Sequence, residues 1–486
     1  MHGATAISIP GCNSAQATAP VDTTNETRRT ANCIVPFIRK YFLEGQQLDA
    51  ETLNRLRSNS DGSPVPWYIR HRTKLGFLLP LVMVWAVWWP WMIYTDNWHL
   101  FAETDDTGSG NQQPRWIMTI TMVFGSLIAG ATSEGGAAVA FPVMTLLLSI
   151  PPPVARDFSF MIQSVGMVAA AFTILSMRVV VEWNSLRWVS FGGIFGLIFG
   201  IEVVSPFLPP PFTKMLFVGG ITTFAFSLYY LNRTHGRVTV SSIAEWDEGV
   251  LWRAPFAPRY AHFNWKAAVL FVGGLFGGCV TGVAGSGIDI CSFALLTLLF
   301  RVSEKVATPT SVVLMAANTL LGFVYRQFVM GGVEHHAWGF FAVCAPVVVI
   351  GAPLGTAIGT HFHRLTLAAM VYIIDTAQLF GAVYVVRPWL HKDDGGKTDQ
   401  PVLLSVLTAL IFVCGAIFFR FLSNSGLALL GDNRDKGSAG ASPPLHHGRT
   451  PNSDRLQQEM VQNGVPGEVQ TQKHQQTYNA GGGVCE

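Results

Sequence analysis

Two short stretches carry the residue types from which chemistry could be built: Gly130-Ala-Thr-Ser-Glu-Gly-Gly136 and Gly282-Val-Ala-Gly-Ser-Gly-Ile-Asp289. Each sets glycines, hydroxyls and one acid inside an apolar run. Glycine admits backbone angles that other residues avoid and lets main chain approach a ligand. A helix that stops there leaves amides unpaired, and the half-helix that restarts presents a positive dipole end. Together these suit an anion. Gly130, Gly135, Gly136, Gly282, Gly285 and Gly287 are the expected backbone contributors, with Thr132, Ser133 and Ser286 adding hydroxyls. Ser159 and Gln163 share a helix face at a spacing of four, and Thr310 and Ser311 lie in the matching helix; these complete the candidate binding set. Close helix packing is the structural alternative for small residues, and it is the role expected of Gly192–Gly200 and Gly351–Gly359.

Glu134 and Asp289 are the acids to explain. An ionisable group deep in lipid costs roughly 2.5–3.5 kcal/mol and marks function by default. A carboxylate repels a bound anion unless a proton neutralises it, so either acid could couple anion movement to protons. Each could instead cap the half-helix that follows. Residue types alone leave both roles open.

The two stretches belong to a duplication. Phe124–Ser159 aligns without a gap to Phe276–Ser311, 152 residues later, with Phe124, Gly125, Gly130, Gly135, Phe141, Thr145, Leu146, Leu147, Val154, Ala155 and Ser159 unchanged. Val181-Glu182 recurs at the same offset as Val333-Glu334. Paired glycine-interrupted apolar segments in matching halves are the sequence mark of a transport site.

The elements that hold these stretches are membrane helices. Half of the residues are hydrophobic and 13% are charged, against about 25% in soluble domains. Eight runs lack Asp, Glu, Lys and Arg: 75–94, 116–133, 158–177, 215–232, 267–288, 306–325, 337–360 and 401–419. Two more, 188–213 and 365–386, are interrupted once, by Glu202 and Asp375. Each run approaches the roughly 20 residues that cross hydrocarbon as a helix. The expectation is an all-α polytopic membrane protein with about ten hydrophobic segments. Trp85, Trp88, Trp89 and Trp91 read as interfacial anchors. Arg156, Asp157, Arg178, Glu182, Arg326 and Glu334 fall at span ends, where solvated charge is ordinary.

The expected organisation is a polar leader (1–74), a first span (75–95), repeat 1 (115–232), a linker (233–264), repeat 2 (265–387), a last span (401–423) and a disordered tail (431–486). If 115–153 crosses once, the copies lie parallel; if it folds back at its glycines, they are inverted. Inversion puts the basic leader and linker on the cytoplasmic side, as the positive-inside bias requires. Both termini are then cytoplasmic, and the plasma membrane is the expected location.

These motifs resemble the sulfite exporter TauE/SafE family of membrane transporters. The second copy carries the likeness as Gly282–Gly287, Ala307-Thr-Pro-Thr-Ser311 and Gly331-Gly-Val-Glu334. The first carries it as Gly130–Gly136, Ala155-Arg-Asp-Phe-Ser159 and Val181-Glu182. Two departures stand out: Glu134 and Asp289 fall where the pattern is mostly glycine, and Ala155–Ser159 lacks its Gly-Thr pair. The resemblance implies an anion permease working as an exporter, with sulfite or an organosulfonate as substrate.

The expected function is therefore secondary transport of a small anion by alternating access around the two breaks. An anion channel is the alternative, and an intramembrane protease a further one. Ala284-Gly-Ser-Gly287 approaches a rhomboid nucleophile motif but has no evident in-span base. No zinc spacing and no P-loop are present, so no enzyme activity, metal or cofactor is expected. The expected partners are a small anion and the lipid bilayer, with no nucleic acid; homo-oligomerisation is left open.

Overall fold

The computed structural model describes residues 39–48, 67–104, 114–132, 134–233, 239–243, 250–252, 263–390 and 399–439. The chain divides into two units, Met1–Gly431 and Asp432–Glu486, and the elements below belong to the first except the last turns of the final helix. Among the described residues, nine helices are long and apolar enough to cross a membrane, and three apolar helices are shorter. The helices are α1 (Arg72–Tyr94), α2 (Trp116–Ala131), α3 (Ala137–Pro142), α4 (Pro152–Met177), α5 (Trp183–Phe199) and α6 (Pro210–Asn232), then α7 (Trp265–Ala284), α8 (Ile288–Ala294), α9 (Glu304–Val324), α10 (His335–Gly359), α11 (Arg364–Val386) and α12 (Pro401–Ala439). Two short strands in the linker, β1 (Val250–Trp252) and β2 (Phe263–Asn264), pair antiparallel. This is a polytopic all-α membrane protein. The last helix runs on to Ala439, past the expected end of its span; the tail from residue 440 lies outside the described residues.

Element boundaries recur at the sequence offset of 152. Widened turns follow α3 at Val143–Leu147 and α8 at Leu295–Leu299, and left-handed residues Ser149 and Arg301 reverse the chain after them. Pro152 opens α4 and Glu304 opens α9, while Trp183 opens α5 and His335 opens α10. Local chemistry fixes several of these starts. Prolines at the first turn pre-set α4, Asn264 caps α7 by accepting from the Ala267 amide at 2.7 Å, and Ser303 caps α9.

Each glycine break folds its chain back. A Cβ on Gly125 of α2 would lie 3.1 Å from Val139 of α3, and one on Gly277 of α7 would lie 2.9 Å from Cys291 of α8. Residues equally spaced either side of the break therefore meet, so α2–α3 and α7–α8 are helical hairpins. Helices α4 and α9 run antiparallel. Near one end, the Glu334 amide donates to Asp157 Oδ2 at 3.1 Å; near the other, the Glu182 amide donates to Thr310 Oγ1 at 2.9 Å. The recurring Glu182 and Glu334 thus mark a turn whose amide is held by the opposite half.

Glycine stripes let two helix pairs pack backbone to backbone. A Cβ on Gly192 or Gly196 of α5, or on Gly200 just after it, would strike carbonyls of α7, and one on Gly274, Gly278 or Gly282 of α7 would strike α5 in return. Gly130 of α2 and Gly351, Gly355 and Gly359 of α10 do the same for the second pair. Small faces of this kind give close van der Waals contact, the main attraction available between helices in lipid. The tryptophans do more than mark an interface: Trp88 Nε1 donates to the Ala342 carbonyl at 2.7 Å, and Trp85 Nε1 to that of Pro346 at 3.3 Å, pinning α1 to α10.

The charges placed at span ends are not all solvated. Asp157 is fully buried, bound by Arg156 at 3.0 Å and by Arg326 at 2.6 Å. Arg326 engages it with both Nε and Nη2, and Arg156 Nη1 donates to Ser205 Oγ at 2.8 Å. The correction has a physical cause: two guanidinium groups from different helices converge on one carboxylate, which removes the need for water. Sequence position alone does not reveal that convergence.

Substituting Gly278→Val should destabilise the folded protein, since overpacking costs about 1–3 kcal/mol and backbone is what the new side chain meets. Gly381→Ala, facing open space, is the control. Thermal unfolding in detergent is the measurement, and equal midpoints for the two variants would contradict the packing role.

Candidate functional site

The two hairpin tips meet in the interior, beside α4, α9 and α11. Gly135 takes a left-handed φ of 69°, and a Cβ there would lie 3.0 Å from Asp289 Oδ2, 3.0 Å from Gln163 Oε1 and 3.3 Å from Met315 Cε. Gly285 takes a φ of 84°, and its Cβ would lie 2.6 Å from Ser159. At both positions the backbone conformation and the close neighbour require glycine. Gln163 ties the halves together: its Nε2 donates to the Gly285 carbonyl at 2.9 Å and to the Ser159 carbonyl at 3.0 Å. Its Oε1 has no partner among the described residues.

The second break satisfies itself. Asp289 accepts from the Gly287 amide at 2.9 Å, and Ser286 Oγ lies 2.9 Å from its Oδ2 and 3.2 Å from its Oδ1. Thr281 Oγ1 accepts from the Ile288 amide at 2.9 Å. The Asp289 carboxylate and the Thr281 hydroxyl thereby hold the amides at the start of α8. This is the capping chemistry proposed for a helix start, with the acid two residues inside rather than at the cap.

The first break differs. Among the described residues, no side chain accepts from the amides that open α3. Thr132, just past α2, donates to the Ile128 carbonyl at 3.0 Å and accepts from the Glu134 amide at 3.5 Å. Glu134 is buried, and neither of its carboxyl oxygens meets a donor among the described residues. The same holds for Asp375 of α11, which is also fully buried. These two carboxyl groups are neighbours in the interior, with Asp289 close to both. Two carboxylates cannot donate to each other, so the contact becomes a hydrogen bond only when one carries a proton.

Of the expected site residues, Glu134, Gly135, Gly136, Ser159, Gln163, Gly285, Ser286, Gly287 and Asp289 come together around the tips. Gly136 sits 3.5 Å from Gln163 Cγ by its virtual Cβ, and the Glu134 carbonyl lies 3.4 Å from Ser286 Oγ. Gly130 and Gly282 instead face the backbones of α10 and α5. Thr310 and Ser311 bond back to Val306 and Thr308 within α9, toward its start. Ser133 lies outside the described residues. Among those residues no group of three or more His, Cys, Asp or Glu is placed to hold a metal ion.

Sequence reasoning passed over Asp375, noted only as an interruption of its run. Its signal was present: an acid alone in an apolar span is functional by default. The repeat comparison hid it, because α6, the corresponding helix of the first half, contains no acid.

Helices crossing around two glycine hairpins, with acids at the meeting point, suit a membrane transporter. The family model for the sulfite exporter TauE/SafE matches residues 117–384, more than half of the 486-residue chain. The chain belongs to that family, whose members transport sulfite-type anions across membranes. No curated protein and no solved structure matches it.

The two acids should respond oppositely to neutralisation. Asp289→Ala removes the acceptor for Gly287 and Ser286 and should lower stability by about 1–2 kcal/mol. Glu134→Gln removes one of two facing buried carboxylates and should be neutral or stabilising. Thermal unfolding of both variants checks this, and a loss at Glu134→Gln as large as at Asp289→Ala would overturn the division of roles.

Proposed function

We propose that the protein is a secondary transporter that exports a small anion, sulfite or an organosulfonate, from the cytoplasm across the plasma membrane. The single observation that carries the mechanism is a pair of neighbouring buried acids, Glu134 and Asp375, whose carboxyl oxygens meet no donor among the described residues. The start of the helix formed by α3 and its widened turn, 137–147, offers amides and a positive dipole end to an anion. Gly136, where a Cβ would meet nothing closer than 3.5 Å, is where the substrate approaches that backbone. Two ionised carboxylates next door would repel it, so a proton on the pair is the condition for occupancy. Proton movement and anion movement are then linked at one place.

Alternating access follows from inverted halves. The hairpins, the antiparallel α4 and α9, and the boundaries recurring at 152 residues all favour that reading. On it, α2–α6 and α7–α11 rock about an axis through the meeting tips. The basic leader and linker lie on the cytoplasmic side by the positive-inside bias. A channel would instead need a continuous polar pathway with several weak sites, whereas the polar groups here gather at one buried point.

Reconstitution into proteoliposomes tests the proposal with sulfite, a sulfonate and a carboxylate, with and without a pH gradient. Sulfite flux should saturate and respond to the gradient. Glu134→Gln and Asp375→Asn should each abolish the gradient response, whereas Gly381→Ala should leave it. Flux rising linearly with sulfite concentration would support a channel, and a gradient response preserved in both acid variants would remove the pair from the mechanism.

A further inference from the structure

Residues Tyr41–Leu48 of the leader form a strap across one mouth of the helical unit. The Tyr41 carbonyl accepts from the His363 amide at 2.9 Å and from Thr366 Oγ1 at 2.9 Å. The Gly45 amide donates to the His361 carbonyl at 3.3 Å, and Gln46 Nε2 to Thr360 Oγ1 at 3.0 Å. On the opposite side, the Val180 amide donates to the Gln47 carbonyl at 3.1 Å, and Leu48 bridges Val179. The strap thereby joins the end of α4, in one half, to the α10–α11 turn in the other.

Beneath it lies a narrow cleft of about 10 Å³, lined by Lys305, Thr308, Thr356 and Thr360 together with Gly130 and Ala131. Those two glycine and alanine residues end α2, immediately before the first break. Lys305 is the one charged side chain among the described residues that line the cleft. Its Nζ meets Glu44 at 2.8 Å and donates to the Gly45 carbonyl at 2.9 Å. The Lys305 side chain is 9% exposed and that of Glu44 41%.

The arrangement is a withdrawn cation, in a hydroxyl-lined cleft, met by a half-exposed carboxylate from a peripheral segment. Glu44 reaches Lys305 from the solvent side, so another anion arriving from solvent can take its place. The surroundings favour negative charge: Lys40, Arg364 and Lys305 all act with Glu44 on His363. Burial lowers the His363 pKa, and the Glu44 charge opposes that shift. The nearby Glu304 is engaged by Arg364 at 3.8 Å and Asn232 at 3.3 Å.

We propose that Lys305 is a capture site for the oxyanionic substrate and that Tyr41–Leu48 is its built-in competitor, with Glu44 standing where the substrate's negative group would sit. The proposal rests on the anion-transporter reading above. Because the strap bonds both halves, its release also frees them to move.

The test uses the full chain, sulfite as probe, and the variants Glu44→Gln, Lys305→Gln and the double variant. Hydrogen exchange at Tyr41–Leu48 in detergent is read alongside sulfite uptake in proteoliposomes. Glu44→Gln should speed exchange across the strap and lower the half-saturating sulfite concentration by about 3-fold. Lys305→Gln should raise that concentration, and adding Glu44→Gln to it should change nothing further. Sulfite should also speed strap exchange in the native protein. The proposal is overturned if Glu44→Gln leaves exchange at its native rate, or if its effect persists without Lys305. If the native chain moves no sulfite, the transport reading fails, while the exchange arm still decides the capture site: faster exchange with sulfite supports it, and an unchanged rate overturns it.

Discussion

A chain that stops being helical inside an apolar slab must find partners for the backbone groups it uncovers. Everything distinctive in this structure answers that constraint at two points. Gln163 reaches from α4 to hold the Gly285 carbonyl, and Thr356 Oγ1 reaches from α10 to hold that of Gly130 at 2.8 Å. Asp289 and Thr281 hold amides on the far side of the second break. Each partner comes from an element that must therefore sit beside a hairpin tip. The order of packing follows: glycine stripes bring α10 against α2 and α5 against α7, and the crossing helices α4 and α9 fill the space between.

Matching sequence does not make the two breaks equivalent. At the second, an acid two residues into the half-helix folds back onto the Gly287 amide, which closes the site with protein groups alone. At the first, the acid precedes the glycine pair and points to Asp375 instead. The offset between Glu134 and Asp289 in the aligned copies is therefore the difference that matters. The second break is a structural joint, whereas at the first no side chain among the described residues accepts from the amides that open the half-helix.

Much of this was legible in the residues. Apolar runs gave the crossing helices because burial in lipid leaves no periodicity to interpret, only length. Repetition in register identified both breaks, and Gly192–Gly200 and Gly351–Gly359 pack helices as expected. What was not legible depends on which helices become neighbours. Asp375 meets Glu134 across 241 positions of sequence, and α6 offers no matching acid. The Arg156–Asp157–Arg326 cluster looked like ordinary span-end charge, because a buried ion pair and a solvated one have the same letters. Gly130 and Gly282 were read as site residues for a related reason. Glycine permits both close helix packing and close ligand approach, and only the neighbour, here a carbonyl of α10 or α5, distinguishes the two.

The two ends of the helical unit are closed by interactions of different strength. At one, Asp157 is fully buried between two arginines and also holds the Glu334 amide; removing one partner of such a pair costs about 3–5 kcal/mol. At the other, the halves are bridged by a strap whose ion pair is half exposed on its acidic side, where water competes for the carboxylate. On the proposed rocking of the halves, motion begins where fewer strong contacts must be lost. The strap end is that place, and the cleft leading to the first break already lies beneath it. The opposite end must then open by a step that leaves Asp157 paired with at least one arginine. Arg156 belongs to the same helix as Asp157 and can travel with it, whereas Arg326 belongs to the other half. The paired arginines thus let the carboxylate change partners across the halves without ever being buried alone.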